Sequence, residues 1–329
     1  MSDTSRPRDA ASQTLRAAVV GVGHLGRHHA RILAGMPGVT LVGVADPDAA
    51  RAAEVAAAHG TQPFADASLL PPVDAVVVAA PTELHAVLAA PFLSRGVSVL
   101  VEKPVTRTLE EADELIALAA RHGGVLAVGH SERFNPAVVA ALPHVKAPGF
   151  VEVHRLSGFR ERSLDIDVVF DLMIHDLDVL LAAIGSEVTA IEAVGVPVLS
   201  PRIDIANVRL TFASGCIANL TASRISFDTI RKVRFFQPRA YIGIDFAKKE
   251  AELYQVVLGP AGAAIDGGKL TVPDAEPLQL ELEDFVEAVR TRRPPRVSGT
   301  DGRRALELAH RITSLMAGGV FSGDSRSTR

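Results

Sequence analysis

The chain has one cysteine in 329 residues, two tyrosines, 5% aromatic residues and no apolar stretch of membrane-spanning length. A single Cys216 excludes an internal disulfide and a zinc site built from several cysteines, and it fits a reducing compartment. Next to the Ser214-Gly215 turn it reads as a small buried residue. Each long apolar run is broken by Asp, His, Arg or Pro, so none reads as a membrane span. Met1 to Thr14 is polar and carries no apolar signal-peptide core, which predicts a cytoplasmic protein. An excess of positive charge is also missing. The formal net charge of −4 argues against nucleic acid or a membrane surface as the main partner. No internal repeat is found. What remains is an ordinary globular composition, 48% hydrophobic, in a chain long enough for two domains.

The stretch Leu15 to Asp46 organises the first of them. A short apolar run, Leu15 to Val20, enters the turn Gly21-Val-Gly23-His24-Leu25-Gly26, and a helical segment follows. This is the spacing of a dinucleotide-binding βαβ unit. Gly21 permits a tight turn, Gly23 lets backbone approach a pyrophosphate, and Gly26 lets the helix pack closely on the strand. The helix N-terminus then offers N–H groups and a positive dipole end to phosphates. A second strand, Leu41 to Ala45, ends at Asp46, whose carboxylate can accept hydrogen bonds from both ribose hydroxyls. That acid repels a 2′-phosphate, which predicts NAD rather than NADP, although Arg51 leaves NADP open. His24 and Leu25 are placed at the cofactor, while His28 and His29 are expected on the helix surface.

After Asp46 the pattern alternates. Helices are predicted over Ala49 to Ala58, Thr82 to Leu93 and Thr108 to His122, and strands over Val73 to Ala79, Val97 to Val101 and Val125 to Val128. A doubly wound parallel sheet over about residues 15–130 follows. Beyond it the pattern changes to one apolar helix, Val168 to Ile184, and a succession of strands. These are Val188 to Val196, Ile205 to Phe212, Cys216 to Ile225, Arg231 to Phe236, Ala240 to Phe246 and Glu250 to Leu258, with hairpin turns at Ser214-Gly215 and Pro238-Arg239. Helices at Leu278 to Arg290 and Gly302 to Met316 close the chain. Residues 131–321 should therefore form an α+β domain with a large, mainly antiparallel sheet. Disordered tails are expected over 1–14 and 322–329. Such a sheet exposes more apolar face than its own few helices cover, so a homodimer or homotetramer is expected.

Ligands of a doubly wound sheet bind outside the carboxyl ends of its strands. The residues just past those ends are Ala80-Pro81-Thr82, Glu102-Lys103-Pro104 and Gly129-His130, together with the glycine turn and Asp46. Lys103 can hydrogen-bond a substrate oxygen, and burial can lower its pKa toward a base; a surface lysine paired with Glu102 is the competing reading. In the second domain Asp171, His175 and Asp178 fall four and three residues apart, on one face of an otherwise apolar helix. An Asp four residues from a His can orient it and stabilise its cation. A metal site or a hydrogen-bonded interior histidine would use the same residues, but other metal ligands are not evident.

These motifs together resemble the Gfo/Idh/MocA family of sugar oxidoreductases over nearly the whole chain. The matching residues are Gly21-x-Gly23-x-x-Gly26, Ala80-Pro81-Thr82-x-x-His85, Glu102-Lys103-Pro104, Arg133-Phe-Asn135-Pro136 and Asp171-x-x-x-His175. The resemblance implies a two-domain NAD(P)-dependent enzyme in which Lys103 and the Asp171/His175 pair serve the hydroxyl being oxidised. It assigns Ala80, Pro81, Thr82, His85, Glu102 and Lys103 to the cofactor, and Lys103, Arg133, Asn135, Asp171 and His175 to the substrate. Some members use a tyrosine as acid/base; here Tyr241 and Tyr254 both lie far along the sheet domain, which favours His175. One departure is Val168-Val169-Phe170, where a glycine-rich lead-in is frequent.

A narrower resemblance, over Asp204 to Asn207 and Ser223 to Glu250, is to the UDP-N-acetylglucosamine 3-dehydrogenase branch. It implies a nucleotide-sugar substrate and a link to lipid A chemistry. Arg155, Arg160, Arg162, Arg224, Arg231, Lys232 and Arg234 supply cations that such a pyrophosphate would need; a solvated sheet face or subunit interface would use them equally well. The expected activity is oxidation of a secondary sugar hydroxyl to a ketone. A free sugar or inositol dehydrogenase, reduction of a non-sugar carbonyl or double bond, and a catalytically silent NAD-binding sensor are the alternatives.

Overall fold

The computed structural model describes residues 14–159, 166–259 and 262–317. Arg160, Arg162 and the two expected tails (all but Thr14) lie outside the described residues. The chain divides into two bodies, one ending at Gly129 but joined by Leu282–Gly299, the other comprising His130–Glu281 and the chain from Thr300.

In the first body strands and helices alternate. They are β1 (Leu15–Val20), α1 (Gly26–Gly35), β2 (Val39–Ala45), α2 (Ala49–His59), β3 (Pro63–Phe64), β4 (Ala75–Val78), α3 (Thr82–Leu93), β5 (Ser98–Glu102), α4 (Leu109–His122) and β6 (Leu126–Gly129). All six strands run parallel in the order β3-β2-β1-β4-β5-β6, the doubly wound arrangement whose direction of winding reverses between β1 and β4. Every residue of β4 and β5 is buried, as a strand covered on both faces requires. Thr108 and Glu111 form a capping box on α4, and Gly60 and Gly123 end α2 and α4 in the left-handed conformation. The two-residue β3 is too short to leave a periodic signal.

The segment Leu282–Gly299 departs from the sequence-based division, which gave it to the second domain. The Val128 N–H donates to Val297 O at 3.1 Å, and Ala127 bridges Ser298 antiparallel. The Arg290 and Arg292 guanidinia donate to Gly38 O and Gly123 O, both at 2.6 Å. These bonds join the segment to the parallel sheet and its loops.

The second body contains α5 (Pro136–Ala141), β7 (Phe150–Leu156), α6 (Ile174–Ile184), β8 (Val188–Val196), β9 (Ile205–Phe212), β10 (Ile217–Ser223), β11 (Ile230–Gln237), β12 (Ala240–Asp245), β13 (Glu250–Gly259) and β14 (Gly262–Lys269). Helices α7 (Pro277–Thr291) and α8 (Gly299–Ala317) close the described chain. The eight strands form one sheet, β14-β13-β12-β11-β7-β10-β9-β8, antiparallel except for β7 beside β10. Strands β7 and β14 have no counterpart in the sequence-based reading. The first mixes Glu, His and Arg into its alternation, and the second is Gly-Ala-Ala-Ile-Asp-Gly-Gly-Lys, with little side chain to pattern. Ser214-Gly215 and Pro238-Arg239 are the expected turns, with Gly215 at φ +85° and Arg239 at φ +64°. Cys216 is buried, and burial pushes its thiol up to about 11.

The core of this body is the inner face of the sheet. Val153, Val208, Leu210 and Phe235 pack there with Ile174, Leu177 and Leu180 of α6 and with Ala305, Leu308 and Ile312 of α8. The outer face carries charge as well as the uncovered apolar surface expected from the sequence, with Val256, Leu258 and Ile265 exposed. It carries the ion pairs Lys232–Asp245 (3.5 Å), Arg234–Glu152 (2.7 Å) and Lys269–Glu250 (2.7 Å) around a cleft of about 470 Å³. Its apolar part includes a strip of four rings, Phe150, Phe236, Tyr241 and Tyr254, with successive centroids 5.7, 5.4 and 6.3 Å apart. Among the described residues no helix is long and apolar enough to cross a membrane.

Candidate active site

In the first body the expected ligand-facing residues gather at the carboxyl ends of β1, β2, β4 and β5. Gly21 has φ +82°, and a Cβ there would stand 2.7 Å from Ala79 O. At Gly26 a Cβ would collide with Gly21 O, so only glycine lets α1 start this close to β1. Gly23 differs: a Cβ added there meets no protein atom within 4 Å, which leaves space beside the backbone. The N-terminus of α1 has no side-chain cap. A glycine turn with open space at its middle residue, leading to an uncapped helix end, fits a dinucleotide pyrophosphate. His24 and Leu25 are exposed on this turn.

Asp46 is buried at the end of β2. Its Oδ2 accepts the Val22 N–H and its Oδ1 the Asp48 N–H, each at 2.9 Å. Arg51 reaches the same carboxylate at 3.3 and 3.4 Å from α2. The acid is thus fixed to the glycine turn and shares its charge with one partly exposed guanidinium.

Glu102 ends β5, next to Lys103. Its Oε1 lies 2.7 Å from His29 Nε2, and its Oε2 accepts the Lys103 backbone N–H at 3.2 Å. Burial pushes the Glu102 carboxyl up, but the His29 hydrogen bond and ring and the Lys103 ammonium outweigh it and hold it below the ordinary glutamate value. His29 is therefore not on the helix surface as expected; it is 0% exposed. The signal was present, since Gly26, His29, Ala30 and Leu33 fall at i, i+3, i+4 and i+7, the spacing of a buried face. His85, assigned to the cofactor by resemblance, is also buried. Its Nδ1 lies 2.9 Å from Pro104 O and its Nε2 2.8 Å from Ala80 O, so both nitrogens face backbone carbonyls. Thr82, just after Pro81, is half-buried at the start of α3.

In the second body Asp171 and His175 lie half-buried at the start of the apolar helix. That helix is not uniform: Val169–Met173 forms one π-turn before α6 begins at Ile174. The wider turn contains Asp171; Asp171 and His175 are half-buried, whereas Asp178 is buried. Asp178 is buried against Arg133 at 3.2 Å, and burial pushes its carboxyl up to about 7 against the pull of that guanidinium, with Asp301 adding to the rise. The ring of His175 stands perpendicular to that of buried His130, centroids 6.1 Å apart.

Asp176, which the sequence did not single out, binds Arg155 through two hydrogen bonds of 2.7 and 2.8 Å. Arg155 Nη1 also donates to Glu132 Oε1 at 3.0 Å, and its guanidinium lies 5.1 Å from the centroid of Phe246. Burial alone works against charge on Arg155, but Asp176 and Glu132 more than offset it and keep the cation firmly protonated. Burial likewise raises the Asp176 carboxyl, which Arg155 only partly counters. Inward alternation along β7, Val151-Val153-Arg155, could have revealed the buried arginine.

Several residues proposed for substrate are occupied by the fold. Asn135 is buried, donates to Glu132 Oε2 and Phe246 O, each at 3.1 Å, and accepts the Ala137 N–H at the start of α5. Arg133 holds Asp178. Arg224 is 4% exposed and donates to Asp204 Oδ1 (2.8 Å), Ile166 O (2.8 Å), Ser200 Oγ (3.2 Å) and Ile203 O (3.3 Å). Asp204 also accepts the N–H groups of Val198, Leu199 and Ser200; although burial pushes its carboxyl up, these bonds and Arg224 bring it well below the usual range. Arg231 is different. It stands opposite Arg155 across β11 and β7, half-exposed, and its charge is felt by Asp176. Among the described residues no carboxylate lies within ion-pair distance of it.

Residues 15–130 match the model of an oxidoreductase family with an NAD-binding Rossmann fold, Gfo/Idh/MocA, and residues 146–237 match a C-terminal domain of the same family. The chain is 40% identical over 304 residues to the UDP-N-acetylglucosamine 3-dehydrogenase of Acidithiobacillus ferrooxidans, covering 91% of this chain and 96% of that one. It is 28% identical to the scyllo-inositol 2-dehydrogenase (NAD(+)) of Bacillus subtilis, over 93% and 95% of the two chains. A solved structure of the Acidithiobacillus ferrooxidans enzyme superposes with a TM-score of 0.86 at 38% identity, over 92% of this chain and 98% of that one. With the parallel sheet, its glycine turn and both family domains in sequence, the chain belongs to the Gfo/Idh/MocA family of oxidoreductases.

Proposed function

We propose that this enzyme oxidises the 3-hydroxyl of a UDP-N-acetylhexosamine to a ketone, with NAD as the hydride acceptor. The observation that carries the dehydrogenase reading is the common end of one parallel sheet, where the open glycine turn, the ribose-type acid Asp46 and the Glu102-held Lys103 follow β1, β2 and β5. NAD, when bound, supplies the acceptor for the hydride leaving the carbinol carbon. The hydroxyl proton goes to the protein. Lys103 donates a hydrogen bond to the oxygen as its charge develops, and His175, oriented by Asp171, takes the proton. The nucleotide-sugar reading is supported by the Acidithiobacillus ferrooxidans relative and by Arg231, an inner-face cation with no carboxylate at ion-pair distance among the described residues. Assay of UDP-N-acetylglucosamine beside free N-acetylglucosamine and myo-inositol, read as NADH absorbance, tests it; equal turnover of the free sugars, or no competition by UDP, overturns the nucleotide-sugar assignment.

Arg231 and Arg224 separate a binding role from a structural one. Arg231→Ala should raise KM for the nucleotide sugar by about 30-fold, the equivalent of ~2 kcal/mol for a charge-assisted hydrogen bond, with kcat little changed. Arg224→Ala should instead lower the melting temperature, because it leaves buried Asp204 without its cation. An unchanged KM in Arg231→Ala would remove that residue from the site.

NAD is proposed over NADP. Asp46→Ala should weaken NAD by roughly 10-fold and narrow its advantage over NADP, since the carboxylate is both the ribose acceptor and the charge that rejects a 2′-phosphate. Fluorescence titration of the two reduced cofactors decides this, and unaltered NADH affinity would refute the assignment.

Assembly with a second copy is inferred from the outer sheet face, where four aromatic rings form a strip beside paired charges. A half-exposed aromatic strip is the kind of surface that buries well against a twin. Light scattering should report at least a dimer at micromolar concentration; a monomer would contradict the inference.

A further inference from the structure

We propose that His29 and His85 are positioning residues that grip the two neighbours of Lys103 and so fix where its ammonium can reach. The inference rests on the reading of Lys103 as the group that serves the substrate oxygen. Lysine carries its charge on a flexible stem, so its reach depends on how firmly the backbone at its root is held. On one side of Lys103, Glu102 is held by His29 from α1 at 2.7 Å. On the other, Pro104 O is held by His85 from α3 at 2.9 Å. Both rings are buried, at 0% and 1% exposure. Burying an imidazole costs free energy unless its nitrogens find partners, and here Nε2 of His29 and Nδ1 of His85 meet the two groups that flank Lys103.

The surroundings of Glu102 are shaped for this contact. Gly129 lies opposite it on β6, and a Cβ there would stand 2.9 Å from Glu102 Oε2 and 3.0 Å from Cδ. The oxygen so accommodated accepts the N–H of Lys103 itself. His29 therefore acts on Lys103 through one carboxylate, with no other group between. At His85 both nitrogens face carbonyls, Ala80 O and Pro104 O; a neutral ring can donate to only one of them, and the grip on Pro104 O places the proton on Nδ1. The two histidines tie the root of Lys103 to α1 and α3, the helices that begin just after β1 and β4.

The geometry predicts which substitutes work. A glutamine amide extends to the position of histidine Nε2, whereas an asparagine amide reaches only that of Nδ1. Glu102 is bound through Nε2, so His29→Gln should rescue and His29→Asn should not. Pro104 is bound through Nδ1, so His85→Asn should rescue and His85→Gln should not. In the non-rescuing pair kcat should fall about 10- to 100-fold while KM for NAD stays within about 3-fold, the signature of a misplaced group rather than a lost cofactor. A second readout needs no substrate. The NADH-bound enzyme is acylated with an N-hydroxysuccinimide ester, and Lys103 is followed by peptide mass spectrometry against the remaining lysines. Its relative rate should change by at least about 3-fold in His29→Asn and His85→Gln and stay at the wild-type value in the rescuing pair. Identical Lys103 rates in all five proteins, or losses that follow melting temperature without regard to amide length, would overturn the proposal. A non-rescuing variant that fails to fold leaves the other histidine's pair to decide. If Lys103 labelling responds as expected while no sugar turns over, the substrate reading fails and the grip on Lys103 stands.

Discussion

Lys103→Met should abolish measurable turnover while leaving NADH bound. The two side chains are similar in length, but methionine has neither the charge nor the N–H groups that can meet a substrate oxygen. General acid–base and hydrogen-bond assistance of this kind contributes about 10²- to 10⁴-fold, which sets the expected loss in kcat. The backbone at this position is held by Glu102, through the Lys103 N–H, and by His85, through Pro104 O. None of these contacts uses the lysine side chain, so the cofactor end of the sheet should persist. Fluorescence titration should give an NADH affinity within about 3-fold of wild type. Substantial kcat in the variant would remove Lys103 from the proton chemistry; loss of NADH binding would reassign it to the cofactor.

Arg155→Met should produce the largest loss of stability. The guanidinium is enclosed, with Asp176 and Glu132 bonded at 2.7 to 3.0 Å. Removing it leaves two carboxylates in a low-dielectric interior with no hydrogen-bonded countercharge. Breaking a buried pair in this way costs about 3–5 kcal/mol, or roughly 10 °C in melting temperature for a domain of this size. The sign of the pH dependence follows from Asp176. Its folded-state carboxyl already lies above the ordinary 3.8, raised by burial and only partly countered by Arg155. Without Arg155 it rises further, and a group with a raised folded value contributes stability that is present at low pH and lost as pH climbs. The deficit of the variant should therefore widen as pH rises through the wild-type carboxyl's own value, which already lies above 3.8. Adding Asp176→Leu should recover part of it, because an apolar replacement no longer pays desolvation. Thermal melts from pH 5 to 8 test this; a deficit that narrows with rising pH would show that Asp176 is not the group left stranded.

What the sequence determined by itself is local or strictly periodic. The parallel sheet was legible because its strands other than the two-residue β3 are apolar runs, separated by helices whose ends carry capping signals, as at Thr108 and Gly123. The glycine turn was legible because two of its glycines answer steric demands within a few residues of each other: Gly21 needs a positive φ, and Gly26 lies against Gly21 O. Lys103, Asp46 and His175 could be singled out because the rule for strand ends, or a charge on an apolar helix, marks them without reference to any partner.

Tertiary structure alone decided which charges are spent. Arg155, Arg224 and Arg231 look alike in sequence, each within a strand or at its end. Only long-range pairing makes Arg155 the partner of Asp176, twenty-one residues away, Arg224 the partner of Asp204, and leaves Arg231 at the half-exposed end of the inner face. His29 and Glu102 are seventy-three residues apart, and nothing local predicts that the ring of one will satisfy the carboxylate of the other. The same holds for β7, whose alternation is diluted by Glu152, His154 and Arg155 until β10 and β11 flank it, and for the segment 282–299, which joins the first body through hydrogen bonds to Val128, Gly38 and Gly123. The physical reason is common to all of them. Apolar periodicity is a property of neighbouring residues, but whether a buried charge is tolerated depends on a countercharge that only the folded chain brings within reach.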